Sequence, residues 1–267
     1  MQVILSIVVP VFNCRSHLRE TILSVLREGL QDTEIIVVDD VSTDGSLETI
    51  GDLPVTIVRR SVNGGPAAAR NSGLTSAKGK LLAFLDANEI LVEGGMRWRL
   101  EWLLNHPEER AVMGSVAGVI DEAGNEIVFP EILVGYERAP DRISLEYVRR
   151  RGFVFASPLN TLMLRADLLA EVGPFDGHSL SHRGPEDIEF VLRMLTRTST
   201  PFFQRPTVFF RVSSNSGSVM SSAESLSTPV KLAVERRLVE MAYGLPPIPL
   251  PMHCPLPYEP IPSGVLG

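Results

Sequence analysis

Cysteine is nearly absent: Cys14 and Cys254 are the only two in 267 residues, far apart and without metal-ligand spacing. That excludes a disulfide framework and a thiolate zinc site, and it suits a reducing compartment. Positive charge is also scarce, with 25 Lys and Arg against 32 Asp and Glu and a net charge of −7. A nucleic-acid backbone needs a basic face, so no nucleic-acid partner is expected. One small basic pocket for a nucleotide is not excluded, because it can sit on an acidic surface. No apolar run approaches the roughly 20 residues of a membrane span. Met1 leads directly into a short apolar strand and lacks the basic start and small-residue cleavage site of a signal peptide. A cytoplasmic location is the expectation. The length is enough to bury a full core, as one large domain or two small ones.

What is present is a repeated unit of apolar strand followed by acids. Glu34-Ile35-Ile36-Val37-Val38 ends in Asp39-Asp40 and then Val41-Ser42-Thr43-Asp44-Gly45-Ser46, a turn-and-cap cluster. Leu81-Leu82-Ala83-Phe84-Leu85 ends in Asp86-Ala87-Asn88-Glu89. Uninterrupted apolar strands of this kind are covered on both faces. In open α/β sheets ligands bind at the carboxyl ends of the strands, where both acidic clusters fall.

The spacing predicts a strand over 2–9 closing at Pro10, a helix over 16–29 and the Glu34 strand. A helix opening near Asp44-Gly45-Ser46, a strand over 55–58, the loop Asn63-Gly64-Gly65-Pro66, a helix to about Ala77 and the Leu81 strand follow. Such alternation implies an α/β fold with a mostly parallel sheet and right-handed crossovers. Beyond residue 110 the pattern changes. Strands over 111–120 and 127–129 flank a hairpin turn at Asp121–Asn125, and helices are predicted over 144–151, 165–171 and 186–195. Thr228-Pro229 starts a helix that Gly244 stops, and the proline-dense stretch 246–262 reads as an extended tail.

In order, the motifs are Ser6-Ile-Val-Val-Pro-Val-Phe-Asn13, Val37-Val-Asp-Asp-Val-Ser-Thr-Asp-Gly-Ser46 and Asn63-Gly-Gly-Pro-Ala-Ala-Ala-Arg-Asn-Ser-Gly73. Leu85-Asp-Ala-Asn-Glu89, Val172-Gly-Pro-Phe-Asp176 and Gly184-Pro-Glu-Asp187 complete the set. The succession closely resembles glycosyltransferase family 2, inverting enzymes of the GT-A fold that use nucleotide-diphospho-sugars. The resemblance covers about residues 2–218. It implies one GT-A domain over 1–220, with a nucleotide half to about residue 110 and a smaller α+β acceptor half. A C-terminal helix and tail would follow over 221–267, where a homo-oligomer contact or a dispensable terminus are both open.

By that resemblance, Pro10 and Asn13 place the nucleotide base against backbone. Asp39 and Asp40 hold base and ribose, since a carboxylate accepts hydroxyl and imide protons; alternatively, one of them caps the following turn. The Asn63-Gly64-Gly65 loop and Arg70 suit a diphosphate at a helix N-terminus. Asp86 and Asn88 stand where the family carries Asp-x-Asp for a divalent cation, Mg²⁺ or Mn²⁺. Two departures weaken that site: Asn88 is a neutral amide, and Ser213 stands where a histidine often completes the metal shell. Asp86 and Glu89 could still hold the cation together with the diphosphate, or Arg70 could carry the leaving group instead. Asp187 matches the family's general base, and Glu186 positions it or binds acceptor. Alone, the pair would read as a helix cap and a first-turn acid. His178 and His182 flank this loop, and Phe153, Phe155 and Asn160-Thr161 line either a sugar pocket or ordinary strand packing.

The resemblance thus implies transfer of a sugar, a UDP-sugar above all, to a carbohydrate or lipid-linked acceptor hydroxyl. Polysaccharide or glycolipid assembly at the inner face of a membrane is the expected setting. Two alternatives stand beside it. One is a catalytically impaired GT-A domain that binds sugar nucleotides or acts as a scaffold. The other is a nucleotidyltransferase, disfavoured because Pro10-Val11-Phe12-Asn13 is not a Gly-rich basic signature.

Overall fold

Four apolar strands form the first half of the sheet: Leu5–Val11 (β1), Thr33–Asp39 (β2), Thr56–Arg59 (β3) and Leu81–Phe84 (β4). They are parallel in the order β3-β2-β1-β4. The computed structural model describes residues 2–127, 140–151, 159–176 and 186–212. Every residue from Ile35 to Asp39 is buried, as a strand covered on both faces requires. Between the strands lie Leu18–Leu26 (α1) and Gly65–Ser76 (α2). Helix α2 lies against β1 and β2 so closely that a Cβ on Gly73 would stand 2.4 Å from a Val8 methyl and 3.0 Å from one of Val38.

Two expectations are corrected here. Pro10 does not close β1; it lies inside it, opposite Val38 of β2. Its missing N–H is harmless because β1 pairs with β4 only as far as Val8, so no partner strand asks Pro10 for a donor. The helix expected after Asp44-Gly45-Ser46 is a single 3₁₀ turn, Leu47–Ile50, which Gly51 follows.

The second half adds Ile90–Leu91 (β5), Gly95–Asn105 (α3), Ala111–Ile120 (β6), Glu126–Ile127 (β7), Arg142–Ile143 (β8), Leu145–Arg151 (α4), Leu162–Arg165 (β9), Ala166–Val172 (α5), Glu186–Leu195 (α6) and Thr200–Arg211 (β10). The sheet runs on as β4-β9-β6-β10-β5, with β9 antiparallel to both neighbours and β6 parallel to β10. Strands β6 and β7 pair across the predicted hairpin turn, and α6 has the predicted bounds. Periodicity does not reveal α3 and β10, for physical reasons. Arg99 occupies a buried position of α3 and breaks its apolar stripe. Pro201 and Pro206 interrupt β10, where the register with β6 shifts repeatedly.

Three rings tie the halves together. Phe84 at the end of β4 meets Phe175 edge-on at 5.2 Å and Phe190 of α6 at 6.2 Å, while Phe175 and Phe190 stack at 4.2 Å. Among the described residues, no helix is long and apolar enough to cross a membrane. The predicted helix at Thr228 and the proline-dense stretch lie outside the described residues.

Candidate functional site

The carboxyl edge of the parallel strands collects the acids, but it gives them different work. At the end of β2, Asp39 accepts the Ser42 N–H at 3.0 Å and lines a cleft of about 430 Å³ with Ser42, Thr43, Ile57 and Arg59. Asp40 is buried and faces the other way around the turn. Its carboxylate accepts the N–H groups of Gly64 (3.1 Å) and Gly65 (2.7 Å) at the start of α2 and pairs with Arg60 Nε at 3.2 Å. A carboxylate on a helix N-terminus is stabilised by unsatisfied donors and the macrodipole. Both acids therefore act as caps in this structure, and only Asp39 also borders open space in the described residues.

The turn between them and β1 is held by side chains. Asn13, at φ +49°, accepts the Thr43 N–H at 2.8 Å and donates its own N–H to Ser42 at 3.0 Å. Val41 has φ +70°, a conformation a β-branched residue adopts only under constraint. That strain sits between Asp40 and Ser42, the second of which lines the cleft. Phe12, just beyond β1, leaves 54% of its surface exposed, far more than an aromatic of this core. Cys14 donates to the Ala87 carbonyl at 3.3 Å, and burial, reinforced by Asp44, pushes its thiol up to about 11. It is inert at neutral pH.

Arg70, one turn into α2, is the centre of the arrangement. Its side chain is 4% exposed, donating Nη2 to Asp86 Oδ1 at 2.7 Å and Nη1 to Glu186 Oε1 at 2.6 Å. The guanidinium lies over the Phe175 ring, 5.6 Å from its centroid. Burial works against its charge, but Asp86, Glu186 and Asp187 outweigh that and raise its pKa. Next to it, Asn71 exchanges two hydrogen bonds with the backbone of Phe175, at 2.9 and 2.8 Å. Asn63-to-Gly73 and Val172-to-Asp176 are thus one contact in space, which the motif order alone does not reveal.

Asp86 receives a second donor: Asn160 Nδ2 reaches its Oδ2 at 3.2 Å. Asn160 is buried at the start of β9, and its carbonyl accepts Arg99 Nη1 at 3.1 Å. Asn160 therefore stands directly beside Asp86. Asn88 contributes its carbonyl to Arg211 Nε at 2.9 Å. Arg211, buried at the end of β10, also donates to the Asp121 and Glu122 carbonyls, each at 2.9 Å, and to Glu20 at 2.8 Å. It pins the Asp86–Asn88 loop to α1 and to the β6–β7 hairpin. Glu186 and Asp187 open α6, whose first turn also carries Glu189.

Whether this site suits a divalent cation depends on its donors. Among the described residues there is no group of three or more His, Cys, Asp or Glu placed to hold a metal. Asp86 is one carboxylate with a lone pair left on each oxygen, and Asn88 is an amide. That set fits a cation that arrives with phosphate oxygens, as Mg²⁺ commonly binds, and does not form a prebuilt cage. Ser213, Phe153, Phe155, His178 and His182 lie outside the described residues.

Residues 6–167 match the family model described as "Glycosyl transferase family 2", more than half of the chain. An Escherichia coli enzyme, UDP-Glc:alpha-D-GlcNAc-diphosphoundecaprenol beta-1,3-glucosyltransferase WfaP, is 34% identical over 92 residues, 33% of this chain and 37% of that one. Three further curated glycosyltransferases are matched over 42% to 50% of their own length, so the chain spans about half of such relatives or less. The crystal structure of S. aureus TarS 1–349 in complex with UDP-GlcNAc superposes with a TM-score of 0.65 at 20% identity, covering 89% of this chain and 66% of that one. A mannosyltransferase from Pyrobaculum calidifontis, in complex with GDP-Man and Mn²⁺, gives 0.53 at 19% identity, covering 76% and 54%. At those identities the likeness establishes the fold: GT-A.

Proposed function

Because the chain belongs to glycosyl transferase family 2, we propose that it transfers a sugar, a hexose or one like it, from a nucleotide-diphospho-sugar to an acceptor hydroxyl with inversion. The observation that carries this reading is Arg70, which joins Asp86 on the strand edge to the Glu186-Asp187 helix start. A donor-side acid, a cation and two acceptor-side acids then share one centre. The complex of TarS with UDP-GlcNAc supports a UDP-sugar as donor. The E. coli relative, named for transfer to a diphosphoundecaprenol-linked sugar, supports a carbohydrate or lipid-linked acceptor.

The chemistry follows from the residues. Asp39 borders the cleft at the end of β2 and accepts hydroxyl protons, and the exposed ring of Phe12 offers a face for a base to stack on. Asp187 takes the proton from the acceptor hydroxyl as its oxygen attacks the anomeric carbon. The bond from that carbon to the diphosphate oxygen breaks on the opposite face. Arg70 meets the negative charge that develops on the departing diphosphate. A divalent cation bound with that diphosphate would be held by Asp86 and the Asn88 amide oxygen, and would add positive charge there.

Two measurements test the reading. UDP should raise the melting temperature, because a ligand bound only by the folded state stabilises it. Asp187→Asn should lower transfer by about 10²–10⁴-fold, the usual contribution of a general base, with UDP affinity nearly unchanged. Transfer at the native rate by that variant would remove Asp187 as the base.

A further inference from the structure

The loop that follows β4 is held by its carbonyls. Glu89 returns its N–H to the Asp86 carbonyl at 3.0 Å, closing a turn. Thr21 Oγ1 of α1 donates to the Ala87 and Glu89 carbonyls at 2.8 Å each, and Cys14 Sγ adds a longer bond to Ala87 at 3.3 Å. The Asn88 carbonyl between them accepts Arg211 Nε, at the end of β10, at 2.9 Å. Each carbonyl from Asp86 to Glu89 therefore has a donor. Burial alternates along the same residues: Ala87 and Glu89 are buried, while Asp86 and Asn88 are half-buried. The backbone is clamped from inside, and the two candidate cation ligands are the residues left partly open.

We propose that Arg211 is a positioning residue for the donor cation. Through the Asn88 carbonyl it sets how Asn88 stands relative to Asp86 when a divalent cation arrives with a nucleoside diphosphate. A neutral amide oxygen cannot draw a cation by charge, so what Asn88 adds depends on its being in place beforehand. The group behind a metal ligand supplies that orientation. Only a planar fork serves here, because the same guanidinium also reaches the Asp121 and Glu122 carbonyls and Glu20. Thr21 and Cys14 hold the loop from the first half of the sheet, and Arg211 holds it from the second. The β6–β7 turn, gripped by the same side chain, thereby becomes part of the donor site. This rests on the donor-site reading above.

Calorimetric titration of UDP with and without Mn²⁺ tests the assignment. In wild type, Mn²⁺ should tighten UDP binding. Arg211→Lys keeps the charge and loses the fork. It should bind UDP about tenfold more weakly when Mn²⁺ is present, the low end for a group behind a metal ligand. Its metal-free UDP affinity should stay within about twofold of wild type, because contacts that share no partner perturb one another little. Glu20→Gln breaks the ion pair and spares the Asn88 bond, so the Mn²⁺ effect should survive in it. Should Arg211→Lys fail to fold, Thr21→Val carries the same test from α1. It keeps the side-chain shape, removes the donor to the Ala87 and Glu89 carbonyls, and should show the same metal-selective loss. A full Mn²⁺ effect in Arg211→Lys, or in Thr21→Val where only that variant folds, would overturn the assignment. So would an equal loss in Glu20→Gln, or a matching loss of UDP affinity without metal, since either is ordinary loosening of the fold. Wild-type UDP binding that Mn²⁺ leaves unchanged would overturn the cation reading and this role with it. No UDP binding at all would remove the donor site itself.

Discussion

An amide oxygen and a carboxylate oxygen have nearly the same shape and very different attraction for a divalent cation, and Asn88 offers the amide two residues after Asp86. With one carboxylate in place of two, the cation should bind weakly to the protein alone and better once phosphate oxygens are present. Asn88→Asp should strengthen Mn²⁺ binding in the presence of UDP by about tenfold, because affinity at such sites follows the count of charged ligands. Titration of Mn²⁺ into the UDP-saturated protein checks this. Unchanged affinity would mean that the position 88 side chain does not face the cation. The candidate residues are legible in the sequence where they stand at or near strand ends and helix starts: Asp39, Asp86, Arg70, Glu186 and Asp187 can be named as candidates from motif order. Their partners are not. Asn71 on Phe175, Asn160 on Asp86 and Arg211 on Asn88 are contacts across 104, 74 and 123 positions. No local pattern encodes contacts of that range.

At the scale of elements, helix α2 sets where Arg70 stands, and its distance from the sheet is set by a missing side chain. Gly73 lies over Val8 and Val38, where a methyl group would meet a valine methyl at 2.4 Å. Val8 is in the buried centre of β1 between β2 and β4, so it has little room to move. Overpacking of this kind costs about 1–3 kcal/mol and outweighs the gain in helix propensity of about 1 kcal/mol that alanine brings. Gly73→Ala should therefore lower stability, by up to roughly 2 kcal/mol on those figures, measured by urea unfolding. A stabilised variant would show that α2 can lift from the sheet without strain. The same helix illustrates which elements a sequence announces. Apolar β-branched strands and a Gly-Gly-Pro helix start are local signals, and β1 to β4 with α2 follow from them. Helix α3 and strand β10 carry the opposite: a buried arginine in the one, two prolines in the other.

On the scale of the molecule, β9 is what brings the two halves to one site. It runs antiparallel between β4 and β6, so its beginning lies at the carboxyl edge where β4 delivers Asp86. A parallel strand in that place would end there instead, and Asn160 would be at the far side of the sheet. Arg99 holds this junction. It is fully buried in α3 and donates to the carbonyls of Gly95 (3.0 Å), Asn160 (3.1 Å) and Leu162 (3.3 Å), while the Glu28 carboxylate acts on it only through space. A buried charge is expensive, and replacing an ion pair by apolar groups often costs little. Here the acceptors are backbone carbonyls that stay behind when the arginine is removed, and each loses a charged donor whose bond is worth about 1.5–3 kcal/mol. The retained carbonyls decide the sign. Arg99→Leu should destabilise the fold by about 2–4 kcal/mol, within the range for breaking such a buried network. It should also weaken UDP binding, because Asn160 no longer holds Asp86 in place. Urea unfolding and UDP titration of the same variant separate the two effects. Lost stability with UDP affinity intact would confine Arg99 to the core and leave Asp86 positioned by Arg70 alone.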